Sequence, residues 1–147
     1  MAVTATLANN FKALLGSGGV DFTTDAFRVI LMNDTFTFDP DTHEAYSNVS
    51  ADELATNYGY TQGAKELVVD AAWAKDNVND KAAITWTDVS WAASGGSIGP
   101  SAAAVILMHD AGTPANSVVV GAIDFGQALT ATTDSPFPLT DLGMDLV

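Results

Sequence analysis

Cysteine is absent from the 147 residues, which excludes disulfides, thiolate zinc sites and cysteine nucleophiles. Positive charge is scarce. Five Lys and Arg stand against 18 Asp and Glu, for a formal net charge of -13. The cations are Lys12, Arg28, Lys65, Lys75 and Lys81, and they do not cluster along the chain. Nucleic acid and anionic lipid both require a basic footprint, so neither nucleic acid nor a membrane is an expected partner. No apolar run approaches the roughly 20 residues that span a bilayer. The first charge, Lys12, follows the first apolar residues, unlike the charged start of a secretory leader. The expectation is a chain made in the cytoplasm.

Recognisable chemistry is equally sparse. The two histidines, His43 and His109, lie in no Gly-x-Ser-x-Gly nucleophile elbow. Both read as hydrogen-bonding residues, one in a loop and one at a strand end. Asp39, Asp41 and Glu44 carry oxygens that suit a hard cation. Asp39-Pro40-Asp41 nonetheless lacks the spacing and turn glycine of a calcium loop, and a solvated turn is the better reading. The glycine-rich segments 17–19 and 94–97 lack the lysine of a phosphate loop. Trp73, Trp86 and Trp91 suit a core better than a sugar platform. We expect no catalytic residue, no metal ligand and no cofactor, hence no enzyme.

What is present is apolar sequence, 48% of the chain. A single domain of this size buries roughly 68–70% of its unfolded surface, so it needs no covalent staple. Two runs stand out, Val29-Ile30-Leu31-Met32 and Val105-Ile106-Leu107-Met108, each followed by a polar residue and an aspartate. Short apolar runs bounded by turn formers read as strands buried on both faces. Their flanks do not match, so they are not a duplication. Residues 118–126 read as the antiparallel partner of the second run.

Around these strands the pattern is weaker. Leu7, Phe11, Leu14 and Leu15 fall at helical spacing. They predict a helix over 4–15 with Thr4 as cap and a stop at 16–19. Such a helix fits either as a lid on the core or as an arm docking on a neighbouring subunit. The division is a helix or arm over 1–19 and a β-domain over 20–147. Thr35-Phe36-Thr37-Phe38 suits a strand edge or an ordered loop.

Residues 39–62 have little regular pattern, apart from one helical turn that Ser50 would cap, with Asp52 and Glu53 at its positive end. Long ordered loops in compact domains are usually functional, which makes this one the first candidate for a partner surface. Strand character resumes over 65–73, and 76–80 is a turn rich in side chains that bond their own backbone. The alternation over 82–91 slips phase between Trp86 and Val89, as a bulge would produce. The closing run, 136–147, has an irregularity near Gly143. About six or seven strands and one helix argue for a mainly β fold, a single-domain antiparallel β-sandwich or open barrel with one short N-terminal helix.

In the loop, the order Asp41-Thr42-His43, Ser47-Asn48-Val49, Tyr58-Gly59-Tyr60-Thr61-Gln62-Gly63 resembles a widespread family of small tailed-phage virion proteins. In that family a strand of the type seen at Phe27-Arg28-Val29-Ile30-Leu31-Met32 is followed by Asp-x-His, Ser-Asp-Val and Gly-Tyr-Thr-x-Gly-Gly. Val89-Ser90-Trp91 resembles a later Val-x-Trp element. Val119-Val120-Gly121-Ala122-Ile123-Asp124-Phe125-Gly126 looks like the family's C-terminal Asp-Phe-Gly strand. Asn48 stands where Asp is usual and Ala64 where a second glycine is common; neither carries chemistry. The resemblance runs from about Leu7 to the end, and it implies a structural virion component.

With the acidic β-domain and the long loop, this leads to an expectation of a capsid decoration (cement) protein on the capsid exterior. It would bind the major capsid protein as a homo-oligomer, a trimer at local three-fold positions. The alternative is a tail, neck or fibre-base component, and more remotely a glycan-binding module using Trp73 or Trp91. Expected contact residues are Leu7 and Phe11 from the arm, and Asp41, His43, Tyr46, Tyr58 and Tyr60 from the loop.

Overall fold

The computed structural model describes residues 3–146, apart from the side chains of Ala71 and Ala72. Val147, at the end of the predicted closing run, lies outside the described residues. The first element is a strand, β1 (Thr4–Leu7), and the helix α1 (Asn9–Ser17) begins only after it. The predicted helix over 4–15 is thus corrected at its start. Thr4-Ala5-Thr6-Leu7 is short enough to be extended by pairing, and that pairing is with a strand far along the chain. The stop is where the glycines place it. Gly18 adopts φ 75 and its N–H donates to the Leu15 carbonyl, a left-handed helix end that suits glycine. Leu7 is 3% exposed and Phe11 is fully buried. The N-terminal segment is therefore built into the core and is not a detached arm.

The chain continues through β2 (Ala26–Asn33), a one-turn helix α2 (Tyr46–Val49) and a 3-10 turn (Ser50–Asp52). The helical turn predicted at Ser50 is this 3-10 turn; Ser50 is its first residue and Val49 holds the cap position expected for Ser50, while at the start of α2 Ala45 N–H donates to the Asn48 side chain at 2.9 Å. Then follow β3 (Lys65–Leu67), β4 (Val69–Asp76), β5 (Lys81–Trp86), β6 (Val89–Ala92), β7 (Ile98–His109), β8 (Val118–Ala131), β9 (Pro136–Leu139) and β10 (Gly143–Leu146).

The strands form three antiparallel sheets, ordered β1-β8-β7-β2-β3, β10-β5-β4 and β6-β9. None closes on itself among the described residues, so this is an open, mainly β architecture. The two apolar runs lie side by side at its centre, with Val29 opposite Ile106 and Ile30 opposite Val105. Ile30, Leu31 and Met32 are fully buried. Cover on both faces explains why the run is continuously apolar rather than alternating. β8 pairs antiparallel with β7, as the hairpin signal predicts.

The phase slip after Trp86 is a change of sheet, not a bulge. β5 ends at Trp86 and pairs with β4 and β10, whereas β6 begins at Val89 and pairs with β9. Both tryptophans still reach the core, at 3% and 4% exposure. The closing run divides in the same way, β9 joining β6 and β10 joining β5. Aromatic contacts tie the sheets together. Phe27 of β2 meets Trp86 of β5 at 5.9 Å, and Phe125 of β8 meets Phe137 of β9 at 6.3 Å.

Candidate functional site

β3 covers only Phe27, Arg28 and Val29 of β2. Beyond it the edge of β2 would expose backbone groups that must find partners. The long loop, 34–64, supplies them. Leu54 N–H donates to the Leu31 carbonyl at 2.9 Å, Leu31 N–H donates to Tyr60 Oη at 2.9 Å, and Met32 forms an isolated bridge with Glu53. The loop thus serves as an irregular continuation of the sheet.

Glu53 is the fastening. It is only 6% exposed. Its two carboxyl oxygens accept from Tyr46 Oη at 2.5 Å, Tyr60 Oη at 2.6 Å and Gly63 N–H at 2.7 Å. A carboxylate is an acceptor-only group, and three donors satisfy it in a site closed to water. Burial, reinforced by the Glu53 charge, pushes the Tyr60 phenol far above its ordinary range. Tyr46 is raised as well, by burial first and then by its hydrogen bond to Glu53.

The Tyr60 shift has a consequence at alkaline pH. Tyr60 holds its proton more tightly folded than unfolded, so its contribution is complete below the unfolded value, about 10. Above that it is lost as pH rises, at about 1.4 kcal/mol per pH unit. Urea melts at successive pH values between about 9 and 11.5 are expected to show this decline, and Tyr60→Phe is expected to lessen it. An equal slope in the variant would assign the alkaline loss to other groups.

The other end of the loop grips α1 and β8. Asn9 N–H donates to the Pro40 carbonyl at 3.0 Å, and the Asn9 amide donates to the Asp41 carboxylate. Tyr46 N–H donates to the Ser117 carbonyl at 2.8 Å, and Val119 N–H to the Glu44 carbonyl at 2.9 Å. His43 stacks on Phe36, with centroids 5.5 Å apart, and its Nδ1 accepts from Asp39 N–H at 3.1 Å. Asp39 in turn accepts from Asp41 N–H and Thr42, which holds its carboxyl below the usual range. At the far tip Gly59 has φ 97, and an added Cβ would lie 2.1 Å from the Ala92 carbonyl oxygen. Only glycine lets this turn lie against β6.

The seven expected contact residues therefore separate. Leu7, Phe11 and Tyr60 face the chain's own core, where packing leaves them no surface for a partner. Asp41 and Tyr58 are exposed, and His43 and Tyr46 are half-buried. Tyr58, at 46% exposure with φ 50, is held outward beside Gly96, where an added Cβ would strike its ring. Sequence reasoning missed Glu53 as the fastening; its one trace is a spacing of seven residues to each tyrosine.

Other chemistry is committed to local structure. Ser117 Oγ accepts from Asp110 N–H at 2.9 Å and lies 3.5 Å from His109 Nδ1. A hydrolytic triad would need Asp110 to orient the imidazole, but its carboxylate accepts from Gly112 and Thr113 N–H in its own turn. Burial and the nearby Arg28 charge hold His109 below its ordinary range. Trp91, under the Lys65 ammonium at 5.2 Å, has no open face for a sugar. Among the described residues no group of three or more His, Asp or Glu side chains is placed to hold a metal ion, and no helix is long and apolar enough to cross a membrane. Compared with protein-family models, curated proteins and solved structures, the chain matches none.

Proposed function

We propose that the chain is a structural component of a tailed-phage virion and, within that class, a capsid decoration protein bound to the outer shell. The observation that carries this reading is the fastened loop. It has little regular structure, yet Glu53, Tyr60 and the edges of β2 and β8 hold it in place. A docking surface ordered in advance loses little entropy on binding. Its outer side offers Asp41, Glu44 and the outward Tyr58. The order of motifs in this loop, which resembles small tailed-phage virion proteins, supports the same reading. So does the net charge of -13, which keeps free copies apart in solution.

Trimers at local three-fold positions would place heterologous self-contacts around each axis and the loop across joints between copies of the major capsid protein. Only the assembled lattice has such joints, so binding would stabilise it by mass action.

The test is co-sedimentation with assembled shells and with unassembled capsid subunits. Attachment to shells alone, at hundreds of copies per particle, is expected. Tyr58→Ala is expected to weaken attachment about tenfold, the effect of one moderate anchor. Copy numbers of tens or fewer would favour the tail, neck or fibre-base alternative. Equal binding to free subunits, or none to shells, would overturn the decoration reading.

A further inference from the structure

We infer that the cleft beside Arg28, between β2, the end of β7 and the turn at Gln62 and Gly63, is a binding site for a carboxylate monoanion. The cleft has a volume of about 250 Å³, and Arg28, Tyr46, Gln62, Gly63, His109 and Ser117 contribute to its lining. Arg28 is the chain's single arginine. It sits on a central strand with its side chain 27% exposed, in a protein that otherwise carries a large excess of negative charge.

The guanidinium is oriented but incompletely paired. Nη1 donates to the Gly63 carbonyl at 2.7 Å, which fixes the plane of the group. Nη2 lies 4.0 Å from a carboxyl oxygen of Glu66, whose side chain is 80% exposed; an exposed pair at that distance contributes little. Nε is buried and has no partner among the described residues, an arrangement that folded proteins rarely leave standing. On the neighbouring strand β7, where Leu107 stands opposite Arg28 and His109 opposite Ala26, burial and then the Arg28 charge oppose protonation of His109. His109, Tyr46 and Ser117 remain as neutral polar neighbours.

One fixed, planar cation, whose one carboxylate neighbour within 4.0 Å among the described residues is the exposed Glu66, matches one planar monoanion. A phosphate dianion would need a second cation, and among the described residues no lysine lines the cleft. The volume is below that of a site for a drug-sized molecule, so the ligand is a small acid or the acidic end of a longer chain. This inference is independent of the virion reading.

Titration of the isotope-labelled protein with sodium acetate, followed by amide and guanidinium NMR with sodium chloride at equal ionic strength as control, tests it. Saturable shifts at the Gly63 and His109 amides and the Arg28 Nε–H are expected with acetate and not with chloride. N-acetylglycine, a mimic of a chain end, separates the two sources: tighter binding than acetate assigns a polypeptide terminus, equal binding a free small acid. Glu66→Gln removes the competing carboxylate and is expected to tighten acetate binding several-fold. Arg28→Lys keeps the charge but loses the planar fork, and is expected to weaken binding about tenfold. Absence of saturable shifts in both the native protein and Glu66→Gln overturns the site. Saturation only in Glu66→Gln means that Glu66 is itself the occupant, and overturns it too. Unchanged affinity in a folded Arg28→Lys, or tighter binding of inorganic phosphate than of acetate, overturns the carboxylate assignment.

Discussion

Replacing Gly121 with valine is expected to strip β1 from the sheet and lower stability by about 4 kcal/mol, near 10 °C in melting temperature for a domain of this size. The cause is backbone crowding. A Cβ at Gly121 would lie 2.3 Å from the Thr6 carbonyl oxygen, 2.8 Å from Met144 Sδ and 3.0 Å from Leu7 Cα. A thioether can swing aside, but the backbone of Thr6 and Leu7 cannot move without breaking its pairing to β8, where Leu7 stands opposite Gly121. Once β1 lifts, Ala8 N–H loses the Val120 carbonyl, now 2.9 Å away, and the fully buried Phe11 loses its seat. Large core side chains that lose their packing cost about 3–5 kcal/mol on their own. Truncation through residue 16 is expected to be at least as damaging, the reverse of what a detachable arm would show. Calorimetry and amide exchange check this together: protection should vanish first at Ala8, whose N–H donates to the Val120 carbonyl, and persist at Ile30 and Val105. A valine variant with native melting temperature and a protected Ala8 amide would show that β1 accommodates the side chain freely.

That same glycine marks where the sequence was legible and where it was not. The central strands could be read because their signal is local: Val29-Ile30-Leu31-Met32 is apolar at every position, and no pairing knowledge is needed to see a doubly buried strand. β1 could not be read in this way. Leu7, Phe11, Leu14 and Leu15 satisfy helical spacing, and only the non-local partner β8 decides that Thr4–Leu7 is extended. An isolated glycine inside the run Val118-Val119-Val120-Gly121-Ala122-Ile123 is a known mark of close backbone approach, and it was the available clue. The slip between Trp86 and Val89 was visible, but alternation cannot distinguish a bulge from a strand that moves to another sheet.

In the loop, length alone pointed to a special segment. Tyr58 and Tyr60 are equivalent on paper and opposite in the fold, 46% against 2% exposed, because the positive φ at Tyr58 and Gly59 turns one outward and the other toward Glu53. A buried carboxylate joined to two tyrosines has no periodicity from which it could have been read.

Glu53→Ala is the substitution that isolates this fastening. It leaves the hydroxyls of Tyr46 and Tyr60 and the Gly63 N–H without their acceptor. Each buried group left unpaired costs about 1–3 kcal/mol. Tyr46 is half-buried and can turn to water, so a total of about 3–4 kcal/mol is expected. The pattern of loosening matters more than the sum. Tyr60 Oη is also the acceptor for Leu31 N–H, so amide exchange should quicken at Leu31 and Gly63 while Ile106 stays protected. Glu53→Gln keeps one acceptor oxygen and brings an amide that faces donors, so it should cost about half as much. If Gly63 keeps its protection in Glu53→Ala, the loop is held by its backbone contacts to β2 and β8 and the carboxylate is incidental. If protection is lost, the variant also probes the proposed role. A loop that must be ordered on docking loses affinity even where every exposed contact residue is intact, so Glu53→Ala should weaken shell attachment in proportion to the loosening at Gly63, with Tyr58 untouched.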